Sequence, residues 1–162
     1  MMLHHVSVGS RDVPKAVAFY DKVLTTLGYK RVMEFLPHAV GYGAQHPEFW
    51  VQVPADGGTA SVGNGVHISF AAPSKAAVNA FHAAAMKAGG KDEGAPGPRP
   101  DYGPDYYGGF CRDLDGNKIE AVVVAMEKTK AAPKKTAAKK AKPAARKAKP
   151  AKRAKGKAKR GR

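Results

Sequence analysis

The chain has 162 residues and a formal net charge of +15, but the charge is unevenly spread. Residues 1–128 carry 12 Lys/Arg and all 13 Asp/Glu, whereas residues 129–162 carry 16 Lys/Arg and no acid. This partition predicts one compact domain over 1–128 and a basic tail over 129–162. It excludes an intrachain disulfide, because Cys111 is the only cysteine, and a membrane span, because no apolar run nears the roughly 20 residues required.

The elements follow in chain order. Residues 3–9 alternate as a strand. Asp12 is a good helix cap, Pro14 suits a first turn, and Ala16, Tyr20, Val23, Leu24 and Leu27 form one stripe ending at Gly28. Strands are predicted near 29–36, 39–44 and 48–53, followed by a Gly-rich connector from Pro54 to Gly65. The order then repeats. A strand is expected at 66–72, then a helix capped by Ser74 with the stripe Val78, Phe81, Ala85 and Ala88 and a stop at Gly89-Gly90. A long Pro/Gly loop over 94–105 precedes strands at 106–112 and 117–125, joined by a tight turn over Asp113–Asn117. The fold class is therefore α+β: two βαβββ modules forming a curved mixed sheet around a cleft. Cys111 reads as a small buried strand residue.

Four side chains recur at matching places in this duplication. His5 and His67 lie in the opening strand of each half; Gln52 and Glu120 lie in the closing strand. Two imidazoles and a carboxylate are a common ligand set for a divalent metal. The alternative reading is a pair of hydrogen-bonded polar residues on inward strand faces, without metal. By strand alternation His4 should face the other side of the sheet from His5. His38, His46 and His82 have no partner pattern and read as surface residues. Trp50 shares a face with Gln52 and either lines the cleft or packs in the core. Arg99, Tyr102, Tyr106 and Tyr107 cluster in or beside the long loop, which either covers the cleft and binds a small anionic or aromatic substrate or merely connects two strands.

Leu3-His4-His5-Val6, Ala18-Phe19-Tyr20-Asp21 and the closing Asp113-Leu114-Asp115-Gly116-Asn117-Lys118-Ile119-Glu120-Ala121-Val122 run resemble the vicinal oxygen chelate superfamily, over residues 3–126. That group includes glyoxalases, bleomycin- and fosfomycin-resistance proteins and extradiol dioxygenases. His67–Pro73 and Tyr106–Phe110 resemble its small bacterial glyoxalase-like branch. The resemblance implies paired βαβββ modules around a metal site, with His5, His67 and Glu120 at the metal-ligand positions and Glu120 as the catalytic base. It implies a divalent ion such as Zn, Ni, Mn or Fe. Gln52 falls where glyoxalase I enzymes place a further carboxylate, so it is either a fourth, uncharged ligand or a hydrogen-bonding neighbour. It further implies a small-molecule substrate, for which Trp50, Arg99, Tyr106 and Tyr107 are the candidate contacts by their place on strand and loop, and modules paired within one chain or between two, as in a homodimer.

The tail is a Lys-Ala-Pro repetition with no aromatic, Leu, Ile or Val, and such a composition predicts disorder. It resembles the tails of linker histones and bacterial histone-like proteins. Lys134, Lys135, Lys139, Lys140, Lys142, Arg146, Lys147, Lys149, Lys152 and Arg153 are its candidate contacts to nucleic acid, made to phosphates without base readout. The expected place is cytoplasmic, with no signal peptide evident, and nucleoid-associated if the tail engages DNA. Three functions stay open: a metal-dependent lyase, isomerase or dioxygenase; a metal-free small-molecule binding or resistance protein; and a nucleic-acid-associated protein driven by its tail.

Overall fold

A computed structural model describes residues 3–124. Lys134, Lys135, Lys139, Lys140, Lys142, Arg146, Lys147, Lys149, Lys152 and Arg153 lie outside the described residues.

The first module runs β1 (Val6–Gly9), α1 (Val13–Leu24), β2 (Lys30–Phe35), β3 (Ala39–Gly43) and β4 (Phe49–Gln52). The second runs β5 (His67–Ala71), α2 (Lys75–Lys87), β6 (Lys91–Pro98), β7 (Tyr107–Arg112) and β8 (Lys118–Val123). Each module folds into one four-stranded sheet, ordered β1-β4-β3-β2 and β5-β8-β7-β6. In both, the first and last strands pair in parallel and the other neighbours are antiparallel. The duplication expected from the sequence is thus a duplication of topology.

The helix signals act as read. The Asp12 carboxylate accepts from the Lys15 amide at 3.1 Å and the Ser74 hydroxyl from the Ala77 amide at 3.1 Å. Gly28, at φ 88°, ends the turn that follows α1.

One strand was not expected. β6 spans Lys91–Pro98, where the Pro/Gly composition suggested that a loop began at 94. It is an edge strand, so Pro96 and Pro98 need not donate inward, and its register slips at Asp92/Gly94 and Gly94/Gly97 absorb the misfit. Only residues 99–106 remain as the connection to β7, with a 3-10 turn at Pro100–Tyr102.

Both modules share one core. Phe49 of β4 meets Phe70 of β5 edge-on at 5.1 Å, and Phe70 continues to Phe81 of α2. Tyr20 of α1, fully buried, donates to the Asp113 carboxylate in the β7–β8 turn at 2.6 Å, and Arg11 pairs with Asp115 beside it at 2.9 Å. Cys111 is buried in this core. The helices cover only one face of each sheet. Along β4 and β5 the core residues Phe49, Val51 and Phe70 alternate with the more exposed Trp50, Gln52, His67, Ser69 and Ala71. Each sheet therefore keeps one open face, and those faces carry most of the residues singled out above. Among the described residues no helix is long and apolar enough to cross a membrane.

Candidate functional site

The open face of the second sheet centres on Glu120. β8 places it beside Ser69 of β5 on one side and Phe110 of β7 on the other. It has no exposed surface. Its Oε2 lies 3.1 Å from His67 Nε2, and its Oε1 accepts a hydrogen bond from the Tyr106 hydroxyl at 2.5 Å. Burial, and then the adjacent Glu120, pushes the Tyr106 phenol up to about 12, so it stays protonated as the donor. His67 keeps nearly half of its side chain open to solvent, which leaves the pair reachable from outside.

Gly108 makes this arrangement possible, and the sequence reading missed it. A Cβ at Gly108 would stand 2.6 Å from Glu120 Oε1 and 3.1 Å from the Tyr106 ring. Its signals in the sequence were its place in the Tyr106–Phe110 stretch and a glycine inside a strand, which marks close approach of some other group without saying which.

The remaining substrate-binding candidates divide. Arg99 lies over the Phe110 ring at 5.5 Å, and its guanidinium donates to the Ala95 carbonyl at 2.8 Å. Phe110 in turn packs edge-on with His67 at 6.3 Å, so Arg99 borders the Glu120 face. Tyr107 does not join it. As the strand neighbour of Tyr106 it points to the other side, where its hydroxyl donates to Asn79 of α2 at 2.9 Å and the Lys75 ammonium lies over its ring.

The open face of the first sheet carries the other half of the donor set. His5, Ser7, Trp50 and Gln52 line a cleft of about 420 Å³ together with Met33 and Phe35. His4 is here too, against the expectation from alternation. Both histidines precede the first β1 residue, so strand periodicity does not govern them, and their Nδ1 atoms approach to 2.9 Å.

The four candidate ligands are thus brought together in twos. His67 and Glu120 meet on one sheet, and His5 and Gln52 line the cleft of the other. Convergence of His5, His67 and Glu120 was expected within one chain or between two; within one chain, no three His, Cys, Asp or Glu side chains among the described residues gather into a metal-binding group. The physical reason is the shared core, which packs the helix-bearing sides of the modules together and leaves both ligand-bearing faces open.

The architecture has clear counterparts. The family model of the Glyoxalase/Bleomycin resistance protein/Dioxygenase superfamily matches residues 2–121. Among solved structures, a glyoxalase/bleomycin resistance protein from Albidiferax ferrireducens T118 is 38% identical, with a TM-score of 0.65 over 75% of this chain and 98% of that one. A glyoxalase-related enzyme from Fulvimarina pelagi shares the fold at 18% identity and a TM-score of 0.59, covering 75% of this chain and 87% of that chain. A lactoylglutathione lyase from Agrobacterium tumefaciens does so at 21% identity and a TM-score of 0.51, covering 74% and 91%. No curated protein matches the chain. The topology, the family match and the 38% identical relative together show that the chain belongs to the glyoxalase/bleomycin resistance/dioxygenase superfamily.

Proposed function

We propose that residues 1–128 form a metal-dependent enzyme of the lyase, isomerase or dioxygenase type that acts on a small oxygen-chelating molecule as a pair of chains. His5 and Gln52 of one chain would complete a site with His67 and Glu120 of the other. The observation that carries this reading is the division of the donor set between two open sheet faces of one chain. Two imidazoles, a carboxylate and an amide oxygen suit a divalent ion such as Zn, Ni, Mn or Fe. When bound, such an ion supplies Lewis-acid polarisation of substrate oxygens.

The chain's own groups have separate tasks. Tyr106 occupies Glu120 Oε1 and so directs Oε2 toward His67 and the open face. With His5 Nδ1–H donating to Nδ1 of His4, Nε2 of His5 would be the unprotonated nitrogen left for the site and the ring would be fixed, as the rings of metal-bound histidines are by their partners. Glu120 is the proton acceptor of the proposal, and Arg99 is placed to meet an anionic substrate group.

The test is metal content of the untagged protein and its recovery by mixing variants. His5→Ala and His67→Ala should each lose metal. Mixed, unfolded and refolded together, they should regain about one site in four, because half the dimers are mixed and each of those restores one of two sites. A metal-free wild type, or no recovery on mixing, would overturn the reading. The metal-free alternative, a binding or resistance protein, draws on one observation: both Glu120 oxygens already have protein partners. It is what remains if the wild type holds no metal.

For residues 129–162 we propose non-specific binding to nucleic acid, and with it nucleoid association, supported by their 16 Lys/Arg with no acid against a body of near-zero net charge.

A further inference from the structure

Trp50 is the only tryptophan in the chain and lies on the open face of the first sheet. Its register partner on β3 is Gly41. A Cβ at Gly41 would stand 3.1 Å from two carbons of the indole and 2.7 Å from Pro47 Cβ. The indole therefore lies flat over the β3 backbone, in a position that a side chain at residue 41 would deny it. Phe35, at the end of β2, holds its ring within 17° of the indole plane, with centroids 6.2 Å apart. Phe35 is 57% exposed and Met33, two residues back, is 42% exposed. Large apolar groups left open in this way mark binding surfaces.

Polar groups bound the same cleft. Gln52 follows Trp50 on the same face of β4, and Ser7 is the register partner of Trp50 on β1. An amide and a hydroxyl both donate and accept, and neither carries charge; His4 and His5 also line the cleft, and no carboxylate among the described residues does. At about 420 Å³ the cleft falls in the size range of small-molecule sites.

We propose that this face binds a planar aromatic ring bearing a neutral hydrogen-bonding group, with the ring laid along Trp50 and Phe35 and the polar group directed to Gln52 and Ser7. The proposal deepens the small-molecule reading above and rests on it, adding the substrate class. A flat group is favoured because the two ring planes are nearly parallel and together present a flat aromatic surface.

The matched probes are benzamide and cyclohexanecarboxamide, which share the amide and differ in ring planarity. Trp50 emission reports occupancy directly, and saturation-transfer NMR on the same full-length samples reports the ligand. Benzamide should shift the emission saturably and bind several-fold more tightly than cyclohexanecarboxamide. Phe35→Ala should weaken benzamide about 3- to 10-fold, the scale of one aromatic pair, without lowering metal content. Gln52→Ala should weaken both amides. Equal affinity for the two amides, or no saturable change with either, overturns the proposal. So does a Phe35→Ala variant that binds benzamide unchanged, since Phe35 would then take no part in holding the ring. Metal content is measured separately. Ring discrimination in a metal-free protein would remove the enzyme reading and leave this one standing.

Discussion

Glu120 is a carboxylate with no exposed surface, and its two contacts come from residues of very different reach in the sequence. Tyr106 is the more consequential for stability, because without its hydroxyl Glu120 Oε1 is buried and unpaired. Tyr106→Phe should therefore cost about 1–3 kcal/mol in urea unfolding; an unchanged midpoint and slope would show that Oε1 finds another donor. For metal the order differs. Glu120→Gln should lower metal content more than Gln52→Ala, because Glu120 alone supplies formal negative charge to the proposed ligand set; equal metal content in the two variants would remove Glu120 from that role. Tyrosines also set an alkaline limit. Burial first, and then the neighbouring Asp113, holds the Tyr20 phenol well above its usual value, and Tyr106 is pushed up to about 12. The folded state thus holds these protons more tightly than the unfolded chain. Their contribution is complete below the ordinary tyrosine value of about 10 and is lost as pH rises above it. The melting temperature should be flat from about pH 7 to 9 with respect to these groups and fall beyond about 10, and Tyr20→Phe should reduce that fall.

Among the elements, the helices were the most legible. Asp12 and Ser74 cap α1 and α2 where short-range rules place them, and the buried faces contain Ala16, Tyr20, Val23, Val78, Phe81 and Ala85 as their spacing requires. Asp12→Ala and Ser74→Ala should each cost about 1 kcal/mol of stability, read from the denaturation midpoint. Strand faces were legible too: Trp50 and Gln52 share a side, as do His67 and Ser69. β6 was not, because its prolines and glycines carry the local signature of a loop, and only pairing with β7 at a sheet edge makes them a strand. The strand expected over 106–112 already implied opposite directions for Tyr106 and Tyr107, but only the structure showed which of them meets Glu120. His4 escaped because alternation applied to residues outside the strand gave it the wrong side.

At the scale of the whole molecule, body and tail should be separable. Removing residues 129–162 deletes 16 positive charges and almost no apolar surface, so the melting temperature should barely change. Duplex-DNA affinity should vanish with the tail. If about 8 of its charges meet phosphates, the logarithm of affinity should fall against that of salt with a slope near −7. Full affinity in the truncated body, or no salt dependence in the intact chain, would disprove the electrostatic reading of the tail.

The sequence by itself determined the charge partition, the two helices with their caps, the alternation of most strands and the duplicated order that places His5, Gln52, His67 and Glu120 at equivalent points. All of these depend on neighbours a few residues apart, or on counting. Tertiary structure decided the rest. It made a strand of β6, put Gly108 under the Glu120 carboxylate and Gly41 under the Trp50 indole, and joined Tyr20 to Asp113 across 93 residues of chain. Above all it sorted the four equivalent residues into two separate faces. Topological equivalence says that two residues occupy the same place in two modules. Whether those places meet depends on which sides of the modules are buried together, and here the apolar sides packed around α1 and α2 won, turning both ligand-bearing faces outward.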